Sequence, residues 1–171
     1  YQQDNGRLPP VQDINASDTP KHSWRVLVAP YIADFDLLEK YDFDQPYDSS
    51  GNQELWDQSP DFYRCTQCQG EDGGGESVVA AFNCRHSVWR GDPSKPLDDY
   101  PPKTVLLIAS GGDTGVSWIE PYDMESDEGI HDALGETDVE LPEQVHQEGY
   151  PVAFADGSAS FLSQKELKHL I

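Results

Sequence analysis

The pattern of apolar and polar positions predicts a β-hairpin near the end of the chain. Two short alternating runs, residues 152–155 and 158–161, flank an Asp156-Gly157 pair. Asp-Gly is favoured in two-residue type I′ turns because both central residues need positive φ. The strand pairs that such a turn predicts are Ala155 with Ser158, Phe154 with Ala159, and Val152 with Phe161. The predicted apolar face consists of Val152, Phe154, Ala159 and Phe161.

An amphipathic helical pattern follows the first twenty or so residues. Its apolar positions are three or four residues apart for the most part, which places them on one stripe that we expect to pack on a sheet. Pro30 interrupts the stripe and removes one backbone donor, so the pattern predicts a kink or two consecutive helices, with Asp34 able to cap the second. The stripe consists of Trp24, Leu27, Val28, Tyr31, Phe35 and Leu38.

The other predicted elements are shorter. Residues 1–21 have the character of a helix end closed by Gly6 and followed by a loop, since Pro9 and Pro10 prevent the helix from resuming. Residues 42–61 are rich in turn formers, with a short helix near 53–56. Further strands are predicted at 78–82, 104–109 and 116–119, and a last helix at 164–170. The run at 104–109 is apolar on both faces, which is typical of a central strand.

Composition limits the class of protein. With 171 residues and 36% apolar side chains, the chain is long enough for one domain with a core and too short to suggest two. We therefore predict a single α+β domain over residues 1–171, with helices packed on an antiparallel sheet. Eleven basic and thirty-two acidic side chains give a formal charge of −21. Such a charge repels phosphates, so we expect no nucleic-acid partner.

Three cysteines and a histidine form a candidate cross-link or metal site. The pattern is C-x2-C-x15-C-x-H, with the ligand types and approximate spacing of a structural zinc site. In an oxidising compartment the same residues more often form one disulfide, from Cys65 or Cys68 to Cys84, with one thiol left over. Uninvolved thiols are a third reading, and the sequence leaves all three open. The candidate residues are Cys65, Cys68, Cys84 and His86.

His146 and Asp156 form a second candidate pair. A carboxylate that holds an imidazole is the usual way to orient a general base. A histidine beside a tight Asp156-Gly157 turn can instead tie a loop to the hairpin by one hydrogen bond. No reactive Ser, Cys or metal partner is identifiable from spacing, so the structural interpretation is favoured and no catalytic residue is predicted.

An acidic run supplies weak calcium candidates. Calcium prefers clustered carboxylate oxygens, but the run does not follow the EF-hand pattern, because a glutamate stands at its sixth position and a leucine at its twelfth. Solvated acidic side chains are therefore the simpler interpretation. The candidates are Asp123, Glu125 and Asp127, and zinc and calcium are the only candidate ions.

Several segments, in order along nearly the whole chain, resemble one family. They are Gly6-Arg-Leu-Pro-Pro10, His22-Ser-Trp-Arg25 with the run to Ile32, Leu38 to Ser49 with Asn52, Tyr63-Arg-Cys65, Trp118-Ile-Glu-Pro-Tyr-Asp123 and Phe154-Ala-Asp-Gly-Ser158. The chain resembles the planctomycete-type uncharacterised pseudopilin-like proteins, which pair a prepilin-type N-terminus with a C-terminal H-x9-D-G motif. His146, Asp156 and Gly157 match that motif, and Gly149 is the one matching glycine near the histidine.

The resemblance implies the head of a type IV pilin or pseudopilin. Such a head would be non-enzymatic and extracytoplasmic, and would serve as a structural or assembly component of a type IV pilus or type II secretion-like system. Its partners would be other pilin-like subunits or secreted cargo. No apolar run here approaches the roughly 20 residues that cross a bilayer, so we expect a membrane anchor upstream of Tyr1. The alternative is a cell-surface binding module for a glycan, peptide or metal ion, using the Cys/His array and Trp89.

Overall fold

A computed structural model describes residues 1–14, 20–32, 36–64, 79–83, 88–90, 94–109, 117–125 and 146–170. The chain divides into two compact units. Unit 1 is Tyr1–Val78 with Asp113–Tyr122, and unit 2 is Val79–Gly112 with Asp123–Ile171. Both units contain helices and strands, which confirms the α+β class. The assignment of residues 1–171 to a single domain stays a prediction.

Unit 1 begins with a short helix whose end was predicted correctly. Helix α1 closes at Gly6, which has a φ of 67° and donates its N–H to the Gln2 carbonyl at 2.8 Å. Strands β1 and β2 form an antiparallel pair, and β2 leads directly into helix α2. The described elements are α1 Gln2–Asn5, β1 Gln12–Ile14, β2 Pro20–Ser23, α2 Trp24–Ile32 and α3 Ser50–Gln53, with 3-10 turns at Asp36–Glu39 and Asp61–Tyr63.

The buried face of α2 differs from the predicted stripe. Trp24 is buried as expected, but the side chains buried with it are Arg25, Val26 and Ala29, while Tyr31 is 47% exposed. The predicted stripe did not include Arg25. Its guanidinium donates hydrogen bonds to the Ser23 hydroxyl and the Tyr122 carbonyl, which offset the cost of burying its charge. Pro30 lies in the last turn of α2, and a separate 3-10 turn follows, in agreement with two consecutive helical segments. Asp34 and Phe35 lie outside the described residues.

Two other local predictions in unit 1 are wrong. The helix predicted near 53–56 is α3, which begins three residues earlier. It begins there because Ser49 caps it by accepting a hydrogen bond from the Asn52 N–H. Residues 118 and 119 lie in a turn instead of a strand, and Ser117 forms only an isolated β-bridge. The Glu120 carboxylate accepts from the Ser117 N–H at 2.8 Å, and the Glu120 N–H donates to the Ser117 carbonyl at 2.9 Å. This turn buries Trp118 and Ile119, which explains their apolar character.

Unit 2 is built on a sheet in the order β5-β3-β4-β6-β7. Strands β3, β4, β6 and β7 are antiparallel to their neighbours, and the two-residue strand β5 runs parallel to β3. The apolar strand β4 lies in the middle, as predicted from its two apolar faces. The described elements are β3 Val79–Asn83, β4 Val105–Ala109, β5 Met124–Glu125, β6 Tyr150–Phe154, β7 Ala159–Leu162 and helix α4 Gln164–Leu170, with 3-10 turns at Val88–Arg90 and Leu97–Asp99.

The C-terminal hairpin exists, but its register is shifted by one residue from the prediction. Val152 pairs with Ser160 and Ala153 with Ala159. The Phe154 N–H donates to the Ser158 carbonyl at 2.9 Å, so three residues form the loop instead of two. Such loops join a turn to a left-handed residue, here Gly157 with a φ of 76°. Because side chains alternate along a strand, the shift moves those of β7 to the opposite face.

One face of the sheet forms the core of unit 2, and α4 covers it. Alternate residues of β6 are buried, and Leu167 of α4 is fully buried against them. Helix α4 spans the predicted range. It begins with a capping box, in which the Ser163 N–H donates to the Glu166 carboxylate at 2.8 Å and the Glu166 N–H to the Ser163 hydroxyl at 3.3 Å. The core residues are Ala80, Val105, Ile108, Tyr150, Val152, Phe154 and Leu167, with Leu162 beside them.

Candidate functional site

The Asp156-Gly157 turn is held by hydrogen bonds within the hairpin. The Asp156 carboxylate accepts from the Ser158 N–H at 2.9 Å and from the Ser158 hydroxyl at 2.5 Å. A short Asp side chain that bonds two residues ahead is a common turn device, because it replaces a backbone turn bond. Gly157 supplies the positive φ that closes the loop. Both motif residues therefore shape the turn.

Lys103 braces the same turn from the loop before β4. Its ammonium lies 2.6 Å from the Ser158 hydroxyl and 3.1 Å from the Asp156 carboxylate, and it also lies over the Phe154 ring. The backbone joins the two segments too, because the Ala155 N–H donates to the Thr104 carbonyl at 2.9 Å. Hydrogen bonds from Ser158, and then from Lys103, lower the pKa of Asp156 from its ordinary 3.8 to about 2.

His146 lies at the other end of the hairpin. It starts a turn in which the Gly149 N–H donates to the His146 carbonyl at 3.1 Å, and β6 begins at the next residue. Its ring packs edge-on against Phe161, with 6.0 Å between ring centroids. Gly149 is buried at a φ of 120°, and a Cβ there would clash with the backbone carbonyl of Leu162. This close approach of two strands requires glycine.

The structure therefore separates the two polar members of the H-x9-D-G motif. Phe161, against which the His146 ring packs, is four residues along the chain from Gly157. At the usual rise of a strand, this separates the two residues by about 13 Å. The Asp156 carboxylate is bonded at the closed end of the hairpin, and the imidazole lies near its open end. An acid/base couple needs hydrogen-bond contact between the two groups, and this arrangement does not supply it.

The second face of the sheet is apolar and partly open to solvent. The strand pairing places two rows of side chains on it, one from Val79 to Phe161 and one from Ala81 to Ala159. Phe161 is 48% exposed. The open part forms a shallow depression of about 350 Å³. The rows are Val79, Ala109, Pro151 and Phe161, then Ala81, Leu107, Ala153 and Ala159. All eight residues of these two rows are apolar, and such patches often mark interaction sites.

Sequence reasoning missed this outer face because of the register error. The predicted register placed Phe161 on the same side as Val152 and Phe154, which form the core. The observed register places Phe161 opposite Pro151, on the outer face. A signal was available in the apolar residues at both odd and even positions of 151–154, since a strand with two apolar faces contacts something on each side.

A buried polar network in unit 1 was also not predicted. Asn52 is fully buried; its side-chain oxygen accepts from the Asp42 N–H at 2.8 Å, and its amide donates to the carbonyls of Asp42 and Pro46 at 3.0 Å each. His22 is buried too, with one ring nitrogen 2.9 Å from the Tyr41 hydroxyl and the other 3.0 Å from the Phe43 carbonyl. These bonds fix the loop that follows α2.

Arg25 is a buried charged residue of unit 1. Its guanidinium donates to the Tyr122 carbonyl at 3.2 Å and lies over the Trp24 ring. The Tyr63 hydroxyl donates to the Arg25 carbonyl at 2.8 Å, and burial raises the pKa of that tyrosine. Burial likewise raises the pKa of Glu120, and the hydrogen bond from the Ser117 N–H and then the charge of Arg25 partly offset that rise. The network holds loops of unit 1 in place, which is a structural role.

Residues 1–124 match the family described as Protein of unknown function (DUF1559). The chain belongs to this family. No curated protein and no solved structure matches the chain. The DUF1559 match covers Arg25, Asn52 and the rest of the unit 1 network but ends before His146. The pseudopilin-like character and the H-x9-D-G motif therefore stay proposals for this DUF1559 protein.

Of the remaining candidate metal ligands of this DUF1559 chain, the structure describes only two. Asp123 is half-buried and accepts the Ala81 N–H at 2.7 Å, so one oxygen of this calcium candidate anchors β3. Glu125 lies in β5, paired with Asn83 through the backbone. Asp127 lies outside the described residues, as do the four residues of the Cys/His array, Cys65, Cys68, Cys84 and His86. Within the described ranges, no three His, Cys, Asp or Glu side chains are grouped to hold a metal ion.

Two further observations concern the rest of the DUF1559 chain. Trp89, the proposed sugar-stacking residue, is half-buried in a 3-10 turn and donates its indole N–H to the Leu106 carbonyl at 2.7 Å. Trp24, which belongs to the predicted apolar stripe, and Trp118 are both buried. In the part of the chain that the structure describes, no helix has the length and apolar content to span a bilayer.

Proposed function

We propose that this chain is a non-enzymatic head domain, displayed outside the cytoplasm, that assembles with other subunits through the outer face of its sheet. The observation that carries the proposal is that face, with its two apolar rows and the half-exposed Phe161. Soluble proteins tend to keep large apolar surfaces covered, so this face fits a contact with another protein. The resemblance to pseudopilin-like proteins supplies the kind of assembly, a type IV pilus or type II secretion-like system.

The state of the motif residues supports a non-enzymatic role. Asp156 is bonded to Ser158 and Lys103, and Gly157 supplies a turn conformation. His146 packs against Phe161 beside the outer face. In this proposal the motif builds a hairpin of fixed register and positions Phe161, and no group in it is poised to attack a substrate.

The proposed partners are other pilin-like subunits or secreted cargo. A formal charge of −21 opposes binding to nucleic acid and to anionic lipid surfaces. Membrane attachment would then come through an upstream helix, with the acidic head facing outward.

Surface labelling of intact producing cells tests this location. Lys103 is exposed, with 58% of its side chain accessible, and α4 carries two further lysines. A membrane-impermeant amine reagent should label the full-length protein without lysis, while a cytoplasmic marker protein stays unlabelled. Labelling only after lysis would refute the proposal. A hydrolase screen in which His146→Ala abolishes turnover with no loss of thermal stability would refute the non-enzymatic assignment.

A cell-surface module that binds a peptide is the second candidate. The shallow apolar depression beside Phe161 favours it, because peptide sites combine apolar pockets with strand edges. The two functions differ in the expected partner. An assembly head should be recovered in large complexes of related subunits, whereas a binding module should be recovered as a single copy with a soluble ligand.

A further inference from the structure

Strand β7 forms an open edge of the sheet in unit 2. It is last in the strand order and pairs only with β6 among the described strands. The bond from the Phe154 N–H to the Ser158 carbonyl identifies these residues as a hydrogen-bonded pair. Hydrogen-bonded and non-bonded pairs alternate in antiparallel strands, so the next bonded pair is Val152 with Ser160. The N–H and C=O groups of Ala159 and Phe161 therefore point away from β6.

This edge lacks some of the features by which proteins usually prevent strand pairing. Such features are charged side chains, proline, bulges and very short strands. From Gly157 to Ser163 the chain has no charged residue and no proline, although 25% of all residues are charged. Three of the four residues of β7 are exposed. By contrast, β5 at the other edge has only two residues, which protects it by its shortness.

Among the described residues near β7, positive and negative side chains are equal in number. The hairpin with the turn that precedes it, α4 and residues 100–104 carry three lysines and three carboxylates, whereas the whole chain has a charge of −21. Charge near the edge therefore does not oppose a second copy of the same chain. The long-range repulsion between two acidic chains is screened beyond about 8 Å at physiological ionic strength. The six charged residues are Lys103, Lys165, Lys168, Glu148, Asp156 and Glu166.

The edge is also complementary to itself. If two β7 strands run antiparallel with Ser160 at the two-fold axis, Ala159 of one copy lies opposite Phe161 of the other. Both residues direct their backbone groups outward, so each such pair can exchange two hydrogen bonds. The small and large side chains alternate across the junction, and the outer apolar faces become continuous. A symmetric contact of this kind uses the same patch on both subunits.

We propose that β7 pairs antiparallel with the β7 strand of a second copy, which joins two sheets into one. This deepens the proposed function by naming a subunit contact, and its biological role rests on that function. A single strand pair buries less area than the 1,200 Å² or more that stable interfaces typically bury. Association should therefore be weak, and it should strengthen with salt because screening reduces the repulsion of the acidic chains.

Amide hydrogen exchange over a dilution series tests the contact without any mutation. The amides of Ala159 and Phe161 should exchange rapidly in dilute protein and about tenfold or more slowly in concentrated protein. The amides of Ser160 and Leu162 point toward β6 and serve as internal controls, with protection at every concentration. Equal exchange of Ala159 and Phe161 at all concentrations would overturn the proposal.

Variants tested by analytical ultracentrifugation give a second readout. Ala159→Pro removes one outward donor without removing a bond to β6, and Phe161→Lys places a charge at the junction. Both should abolish self-association, whereas Tyr31→Lys, which changes an aromatic residue of similar exposure in unit 1, should leave it intact. Association of both edge variants at the wild-type level would overturn the proposal. A wild-type chain that is monomeric yet labelled on intact cells would refute β7 pairing alone, whereas labelling only after lysis would refute the proposed function.

Discussion

Gly149 gives the sharpest test of how the end of the chain is built. Its φ of 120° is rarely adopted by other residues, and a Cβ would lie 2.8 Å from the Leu162 carbonyl carbon and closer still to its oxygen. An alanine in such a conformation costs about 1–3 kcal/mol. The Cβ fits only if β6 and β7 move apart. This adds about 1–3 kcal/mol of destabilisation, which is typical of overpacking.

We therefore expect Gly149→Ala to lower the free energy of unfolding by about 3 kcal/mol or more. For a chain of this size each kcal/mol shifts Tm by about 2–4 °C, so the loss should be about 6–12 °C. Thermal unfolding followed by near-UV circular dichroism measures the shift. Hydrogen exchange of the β6 amides should locate the loss in the hairpin.

Two other glycines provide matched controls. Gly157 has a φ of 76° with open space around it, so Gly157→Ala should show only the conformational cost, about 1 kcal/mol. Gly51 lies in α3 with ordinary φ and open space, and Gly51→Ala should be neutral or stabilising by up to about 1 kcal/mol. Equal stability of the variants at 149 and 51, within about 0.5 kcal/mol, would refute the reasoning.

The remaining predictions concern the turn, the buried network and the cysteines. In an NMR titration, Asp156 should have a pKa of about 2, and Lys103→Met should raise that pKa. The pKa in the folded protein lies below the ordinary value of 3.8. The stability that this carboxylate contributes is therefore fully present above pH 3.8 and is lost as the pH falls toward 2. An Asp156 pKa near its ordinary value would contradict the turn geometry. Asn52→Ala should lower the free energy of unfolding in urea by about 3 kcal/mol, because it leaves buried backbone groups without hydrogen-bond partners. The control Gln53→Ala, at an exposed position, should lower it by less than about 0.5 kcal/mol. Equal losses of stability in the two variants would contradict the role of the Asn52 network. Thiol titration with metal analysis should find one reactive thiol and no zinc; stoichiometric zinc, with three reactive thiols after chelation, would support the zinc site instead.

Local signals predicted the elements of unit 2 well. The two apolar faces of β4 indicated its central place in the sheet. The strand predicted at 78–82 overlaps β3 and is shifted from it by one residue. Helix α4 matches its predicted range because a Ser-x-x-Glu sequence at Ser163 starts it, although that capping box was not used in the prediction. These features depend on neighbours in sequence, which the chain itself displays.

The errors arise where distant contacts decide between local alternatives. Asp-Gly is compatible with a two-residue turn and with a three-residue loop that has one left-handed glycine. The structure has the three-residue loop, in which the N–H groups of Ala155 and Asp156 donate hydrogen bonds to the loop before β4. That one-residue difference places Phe161 on the outer face and so determines the candidate site. The burial of Arg25 was not predicted, because its hydrogen-bond acceptor, the Tyr122 carbonyl, is far away in sequence.

The central claim is that the outer face of the sheet, centred on Phe161, contacts another protein in the cell. Site-specific photo-cross-linking measures this directly, with a photoreactive phenylalanine analogue placed at Phe161 and, as a control, at Phe62, which is 37% exposed in unit 1. The account predicts a discrete protein adduct from position 161 in intact cells and none from position 62. Equal adduct yields from the two positions, or no adduct from position 161, would contradict it.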